Sequence, residues 1–305
     1  MLVGRFAPSP SGRMHLGNIY TALISYLKAK QTGGKWILRI EDIDTQRCKA
    51  EYTKVLLQDL EWLGLEWDGG PFYQTERTDL YKEAFQKLKK QNLLYDCYCT
   101  RADIMASSAP NSLFILVYSG RCKNLSLEEK ARLASLRVPA TRINMPNEES
   151  IVIDGHYGET KYNLARDFGA FIVRRSDGTF AYQLAVTVDD ALMGVTEIVR
   201  GNDLLPSSHA QQYIYKKLGF NVPSFFHLPL LIDNSGRRLS KRDKDIDMEY
   251  FRAHFTAQEL IGYILSLCGL LTRSDKVIPV SLHDALNIFD ANNLPLNNIN
   301  VEKTI

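Results

Sequence analysis

Three groups of residues have the types and spacing to do chemistry. His15-Leu16-Gly17-Asn18 follows a short apolar run broken by Pro8 and Pro10 and opens an apolar-periodic stretch. At a helix N-terminus, unpaired backbone N–H groups and a partial positive charge attract phosphate; Gly17 admits a close approach and His15 supplies a donor. Arg238-Leu239-Ser240-Lys241-Arg242, just past Gly236, is a basic loop whose Lys241 would meet charge developing in phosphoryl transfer as a fixed cation. Cys97, Cys99 and Cys122 crowd into one window while Cys48 and Cys268 stand alone, a pattern that suits tetrahedral Zn²⁺ better than a disulfide framework. Singly, the first group reads as a capped helix start, the second as a solvated loop and the third as reduced structural cysteines.

The elements that must position these groups follow from periodicity. Residues 3–7 predict a strand, 17–30 a helix stopped by Gly33-Gly34, and 35–40 a second strand. A helix over 51–63 places Val55, Leu56, Leu60 and Leu63 on one face, completing a β-α-β-α rhythm. After a helix at 78–91 the rhythm breaks: residues 95–181 hold the cysteines, the polar run ASSAPNS, a charged helix near 126–137 and short strand-like runs. It resumes with GTFAYQLAVTVDDALMGVTEIVRGNDLL, a helix near 206–218 closed by Gly219, and the strand FHLPLLI. The expected fold class is α/β. A parallel sheet from 1–78 and 182–242 is split by an α+β insertion over 79–181, and 243–305 forms a short helical region.

Composition agrees. With 305 residues, 45% hydrophobic and 24% charged, and with 19 Gly and 11 Pro, the chain is neither collagen-like, low-complexity nor disordered. A chain of this length buries roughly 75% of its unfolded surface and needs no staples for its main core. The formal charge of +2 gives no global field, so any nucleic acid must be held by local basic patches. The N-terminus lacks an apolar signal core, and the longest apolar stretch, 260–271, is interrupted by Gly262, Ser266 and Gly269. A cytoplasmic protein without a membrane span is the expectation.

HLGN and RLSKR, in this order and at these two positions of the sheet, resemble the HIGH and KMSKS signatures of class I aminoacyl-tRNA synthetases. Asn18 stands for the second His and Arg238 for the first Lys; each keeps a donor in place. The resemblance implies a Rossmann-like catalytic domain. GRFAPSPSG (4–12), RIEDID (39–44), FAYQLAVTVDD (180–190) and GVTEIVRGNDLL (194–205) are similar to the glutamyl-tRNA synthetase family, across residues 3–242. Glutamate, with two carboxylates and one ammonium, requires two arginine forks and a buried acid, which Arg5, Arg200 and Glu41 supply. The resemblance implies that Arg5, Ala7, Ser9, Glu41, Tyr182 and Arg200 bind glutamate. It implies that His15, Gly17, Asn18, Ser240 and Lys241 bind ATP, accompanied by Mg²⁺, with His15 and Lys241 catalytic.

Within that family the chain resembles a short branch, the glutamyl-Q tRNA(Asp) synthetases, which attach glutamate to queuosine in tRNA(Asp). The chain ends at residue 305, which implies no anticodon-binding domain; Ile43 replaces the Thr of RIEDTD, and Val186 stands where full-length enzymes carry Asn. C-x-C…Y-x-x-x-C resembles the zinc site of this branch, making Tyr118 the fourth ligand beside Cys97, Cys99 and Cys122, with His156 and Asp96 as alternatives. The family default is a monomer. Two other readings stand beside this one: a shortened glutamyl-tRNA synthetase charging the 3′ end of tRNA(Glu), and a non-catalytic RNA-binding relic.

Overall fold

The structure is a computed structural model that describes residues 1–100, 102–103, 117–118, 120–239, 247–272 and 276–301. Strand β1 (Val3–Phe6) leads through a Pro-rich loop into α1 (Leu16–Gln31) and back to β2 (Lys35–Ile40), parallel to β1 with Val3 opposite Lys35 and Phe6 opposite Leu38. Helix α1 starts where a capping box closes it and buries Leu16, Ile19, Leu23 and Leu27 at the 3.6-residue period; Lys28 and Lys30 meet the negative end of its dipole. The turn into β2 needs Gly34, because a Cβ there would lie 2.5 Å from the Leu2 carbonyl oxygen. α2 (Ala50–Trp62) and β3 (Gly69–Tyr73) extend the sheet in parallel on the far side of β2.

The chain then leaves the sheet through α3 (Thr78–Lys90). It builds an antiparallel group from β4 (Leu94–Cys97), β5 (Ala140–Ile143) and β8 (Phe171–Arg174), with α4 (Leu127–Ala134) between β4 and β5 in sequence. Between β5 and β8 lies the hairpin β6 (Glu149–Asp154) and β7 (Gly158–Asn163). α5 (Tyr182–Leu192), β9 (Glu197–Gly201), α6 (Leu205–Leu218) and β10 (Ser224–Leu228) form the second βαβ half, β9 and β10 being parallel. Gly219 ends α6 in the left-handed conformation that glycine adopts without a Cβ penalty.

The two halves meet where β1 lies beside β9, tied by Thr196 N–H donating to the Val3 carbonyl. β2 and β3 extend from β1 in one direction and β10 from β9 in the other, which makes the β1/β9 seam a topological switch point, where a crevice opens at the carboxyl ends of the strands.

Two features of the structure bear on the expected boundaries. The hairpin β6–β7, inside the segment expected as an insertion, joins the sheet of β9 and β10, with Asp154 opposite Phe225 of β10. Its sequence ESIVID alternates exposed and buried residues, so one face packs inward and Val152 joins the core under β10. The helical C-terminal region packs onto the first half of the sheet domain. α7 (Met248–His254), α8 (Ala257–Leu267) and α9 (Leu282–Ile288) share one core with α1 and α2 through Phe251, Leu260, Ile264 and Ala285. Two short strands, β11 (Leu231–Ile232) and β12 (Ile299–Asn300), pair in parallel, and β11 also meets Arg238 and Leu239.

Candidate active site and metal centre

A pocket of about 490 Å³ opens at the switch point. Arg5 reaches it from β1, Ala7 and Ser9 from the following loop, Glu41 from the end of β2, Tyr182 from the start of α5 and Arg200 from β9. All six residues expected to bind glutamate therefore line one cavity. His15, Gly17 and Asn18 line it too, at the N-terminus of α1. Arg238 and Leu239 stand at its mouth, Arg238 paired with Asp203. Ser240 and Lys241 lie outside the described residues.

The N-terminus of α1 is organised by its own side chains. His15 Nδ1 accepts from Gly17 N–H at 3.1 Å, which leaves the proton of the neutral ring on Nε2, and Asn18 Oδ1 accepts from His15 N–H at 3.2 Å. Asn18, which stands where the resemblance expects a second histidine, completes the capping box.

Beneath the pocket, Arg5 and Glu41 join a charge cluster whose other members, Arg39, Asp189 and Asp190, sequence reasoning did not single out. Asp190 Oδ1 accepts from Arg39 Nη1 at 2.7 Å and from Arg5 Nε at 3.2 Å, and Arg39 Nη2 donates to Glu41 at 3.3 Å. Burial alone would push Asp190 up, but the Arg39 and Arg5 guanidiniums hold its carboxyl below the usual range. For Glu41, burial wins over the same two arginines and raises the carboxyl. Neighbouring Asp189, fully buried, accepts from Gln74, Arg77 and Tyr81 and so locks α3 to α5. The available signal was two consecutive acids inside an apolar helix, VTVDDALM, and an arginine inside an apolar strand, KWILRI: such charges are buried only with partners.

Arg200 is 4% exposed, and burial draws its guanidinium below its usual value. Its Nε donates to His227 Nε2 at 3.0 Å, and Nη2 to Ser208 Oγ at 2.7 Å and the Leu204 carbonyl at 3.3 Å. Nη1 has no partner among the described residues. A buried, singly unpaired guanidinium nitrogen on the wall of a pocket is a donor matched to a carboxylate.

The expected zinc ligands also converge. The sulfurs of Cys97, Cys99 and Cys122 lie within 4.8 Å of one another, Cys99 to Cys122 being 3.5 Å, and the Tyr118 hydroxyl is 3.4 Å from Cys99 Sγ. Tetrahedral Zn–S bonds of about 2.3 Å require sulfurs about 3.8 Å apart, so this donor set fits the ion. Arg142 lies 4.0 Å from the centre of the Tyr118 ring, a cation–π contact that holds the ring against the cluster, while burial and the neighbouring thiols push the phenol well above its usual value. Among the described residues, the core of this part is Cys97, Tyr98, Tyr118, Cys122 and Ala170, and α4 buries none of its residues. The two alternative ligands do not join. Asp96 is exposed and outside the cluster, and His156 Nε2 bonds the Pro295 carbonyl at 3.0 Å. No helix among the described residues is long and apolar enough to cross a membrane.

Comparison with known proteins places this geometry in context. A family model described as the catalytic domain of class I tRNA synthetases (E and Q) matches residues 1–295. A glutamyl-Q tRNA(Asp) synthetase of Symbiobacterium thermophilum is 43% identical over 97% of this chain and 94% of its own length. Glutamate–tRNA ligase 1 of Wolinella succinogenes is 37% identical over 96% of this chain, which spans 62% of that protein. A crystal structure of a glutamate tRNA ligase from Elizabethkingia meningosepticum, in complex with its amino acid, superposes with a TM-score of 0.82 at 27% identity, over 99% of this chain and 67% of the ligase.

Proposed function

Because the chain belongs to the class I tRNA synthetases of the glutamate and glutamine type, we propose that it activates L-glutamate with ATP and transfers it to queuosine in the anticodon of tRNA(Asp). The observation that carries the amino acid is the pocket at the switch point, where buried Arg5 and Arg200 and the carboxyl of Glu41 line one cavity. Two arginines match two substrate carboxylates, and the acid matches the ammonium. The acceptor is supported by the relatives named glutamyl-Q tRNA(Asp) synthetase, 43% and 38% identical over 97% of this chain.

In this reading the glutamate α-carboxylate attacks the α-phosphorus of ATP in line and pyrophosphate leaves, giving glutamyl-adenylate; a ring hydroxyl of queuosine then attacks the acyl carbon and AMP leaves. Arg5 and Arg200 orient the amino acid, Glu41 and Tyr182 close on its ammonium side, and Ala7 and Ser9 shape the floor. His15, Gly17 and Asn18 present the α1 N-terminus to the phosphates, and Ser240 and Lys241 complete the ATP site from the basic loop. Mg²⁺ enters with ATP and supplies neutralisation of phosphate charge. Cys97, Cys99, Tyr118 and Cys122 would hold a structural Zn²⁺ that pins the segment between β4 and β5. The enzyme would work as a cytoplasmic monomer.

Glutamate-dependent exchange of pyrophosphate into ATP tests the activation step. Exchange with glutamate and not with glutamine or aspartate is expected; its absence under all three would leave an RNA-binding relic as the reading. Retention of transferred glutamate after removal of the tRNA 3′-terminal nucleotide separates the queuosine acceptor from charging of tRNA(Glu).

A further inference from the structure

We infer that Asp154 and His227 are positioning residues for the glutamate pocket: together they fix the guanidinium of Arg200, so the hairpin β6–β7 sets the affinity for the amino acid. The inference rests on reading the pocket as the glutamate site.

The hydrogen-bond directions are forced. A guanidinium has donors and no acceptor, so His227 Nε2, which receives Arg200 Nε at 3.0 Å, carries no proton. The imidazole proton therefore sits on Nδ1, which donates to Asp154 Oδ2 at 2.6 Å. Asp154 is itself anchored: Oδ1 accepts from His156 N–H at 3.0 Å and Tyr157 N–H at 2.9 Å, which ties the carboxylate to the turn of the hairpin. The line Asp154–His227–Arg200 thus runs from β6 through β10 to β9. All three residues are nearly inaccessible, and only Arg200 lines the pocket.

The arrangement has a use that a direct ion pair would lack. A carboxylate on Arg200 would neutralise the charge that the substrate needs. A neutral imidazole fixes the orientation through one hydrogen bond and leaves the positive charge to the ligand. Nε and Nη2 are committed to protein partners, so Nη1 is left for the substrate carboxylate. Asp154 also sets the tautomer of His227, the way an orienting carboxylate fixes a catalytic imidazole.

The test is glutamate-dependent pyrophosphate exchange by the full chain, with KM measured for glutamate and for ATP and a melting curve for each variant. Asp154→Asn keeps Oδ1 on the hairpin turn but turns Oδ2 into a donor; the His227 proton moves to Nε2 and faces Arg200 Nε–H. Glutamate KM is expected to rise about tenfold or more, the loss of one hydrogen bond to a charged group, while ATP KM and kcat move less than about twofold. His227→Leu should do the same, and His227→Gln, which keeps an acceptor within reach of Arg200, should recover most of the affinity. An unchanged glutamate KM in Asp154→Asn or His227→Leu would overturn the inference, as would parallel losses in kcat and both KM values, the mark of a structural defect. Should Asp154→Asn not fold, the contrast between Leu and Gln at position 227 decides alone. A wild-type chain that shows no glutamate-dependent exchange would instead overturn the glutamate reading, and this inference with it.

Discussion

Asp190→Asn is the perturbation that most sharply probes the floor of the pocket. One oxygen of Asp190 receives both Arg39, at 2.7 Å, and Arg5, at 3.2 Å, and none of the three side chains is more than 5% exposed. The substitution keeps an acceptor of the same shape and removes one negative charge, leaving two buried guanidiniums to share Glu41 and Asp189. Breaking a buried ion pair by removing one partner costs about 3–5 kcal/mol, and because the amide oxygen still accepts, the lower end applies, about 3 kcal/mol. In a chain of this size each kcal/mol lowers the melting temperature by about 2 °C, so a fall of about 6 °C is expected. Arg5 loses the anchor that aims it, so glutamate KM should rise several-fold while ATP KM holds. Thermal melts and pyrophosphate exchange on the same preparation measure both. A melting temperature within about 1 °C of wild type, with unchanged glutamate KM, would refute the idea that Asp190 organises the arginines.

Three further outcomes are expected. Lys241→Ala should slow adenylate formation roughly 10²-fold or more through lost electrostatic stabilisation of the transition state; unchanged exchange rates would remove Lys241 from that role. The purified chain should carry zinc at one ion per chain by elemental analysis, and Cys122→Ser should lose it and become sensitive to limited proteolysis near the metal cluster; a metal-free wild type that resists proteolysis would contradict the staple. His209 is buried between the Ser150 and Thr160 hydroxyls, and burial pulls its ring down to about 4, so it folds neutral. Its contribution is fully present above the unfolded value near 6.5 and is lost as pH falls toward 4, up to roughly 3 kcal/mol, because the unfolded chain takes up the proton first. His209→Gln should flatten the stability profile between those two values, and an unaltered slope in urea melts would exclude His209 as the source.

Much of this was legible in the chain. Helix α1, its cap at His15, strand β2 and the Gly219 stop were carried by local periodicity and by glycine chemistry, which depend on near neighbours. The segments holding Arg5, Glu41, Tyr182 and Arg200 were recognisable as motifs, and the pocket brings those residues together. What the sequence hid depends on long-range pairing. The hairpin β6–β7 looked like a few short strand-like runs because its partner β10 lies some 70 residues on, as Asp154 opposite Phe225 shows. His227 sat unmarked inside the apolar strand FHLPLLI; only the fold shows that it faces Arg200 and Asp154. The tail gave a helical pattern without a destination, since packing against α1 is a property of the folded core.

The most direct test of the central claim is transfer of labelled glutamate, with ATP and Mg²⁺, to tRNA from queuosine-producing and queuosine-deficient cells in parallel. A ligase that modifies queuosine labels tRNA(Asp) of the first pool alone. Equal labelling of tRNA(Glu) in both pools would contradict it and identify a shortened glutamyl-tRNA synthetase instead.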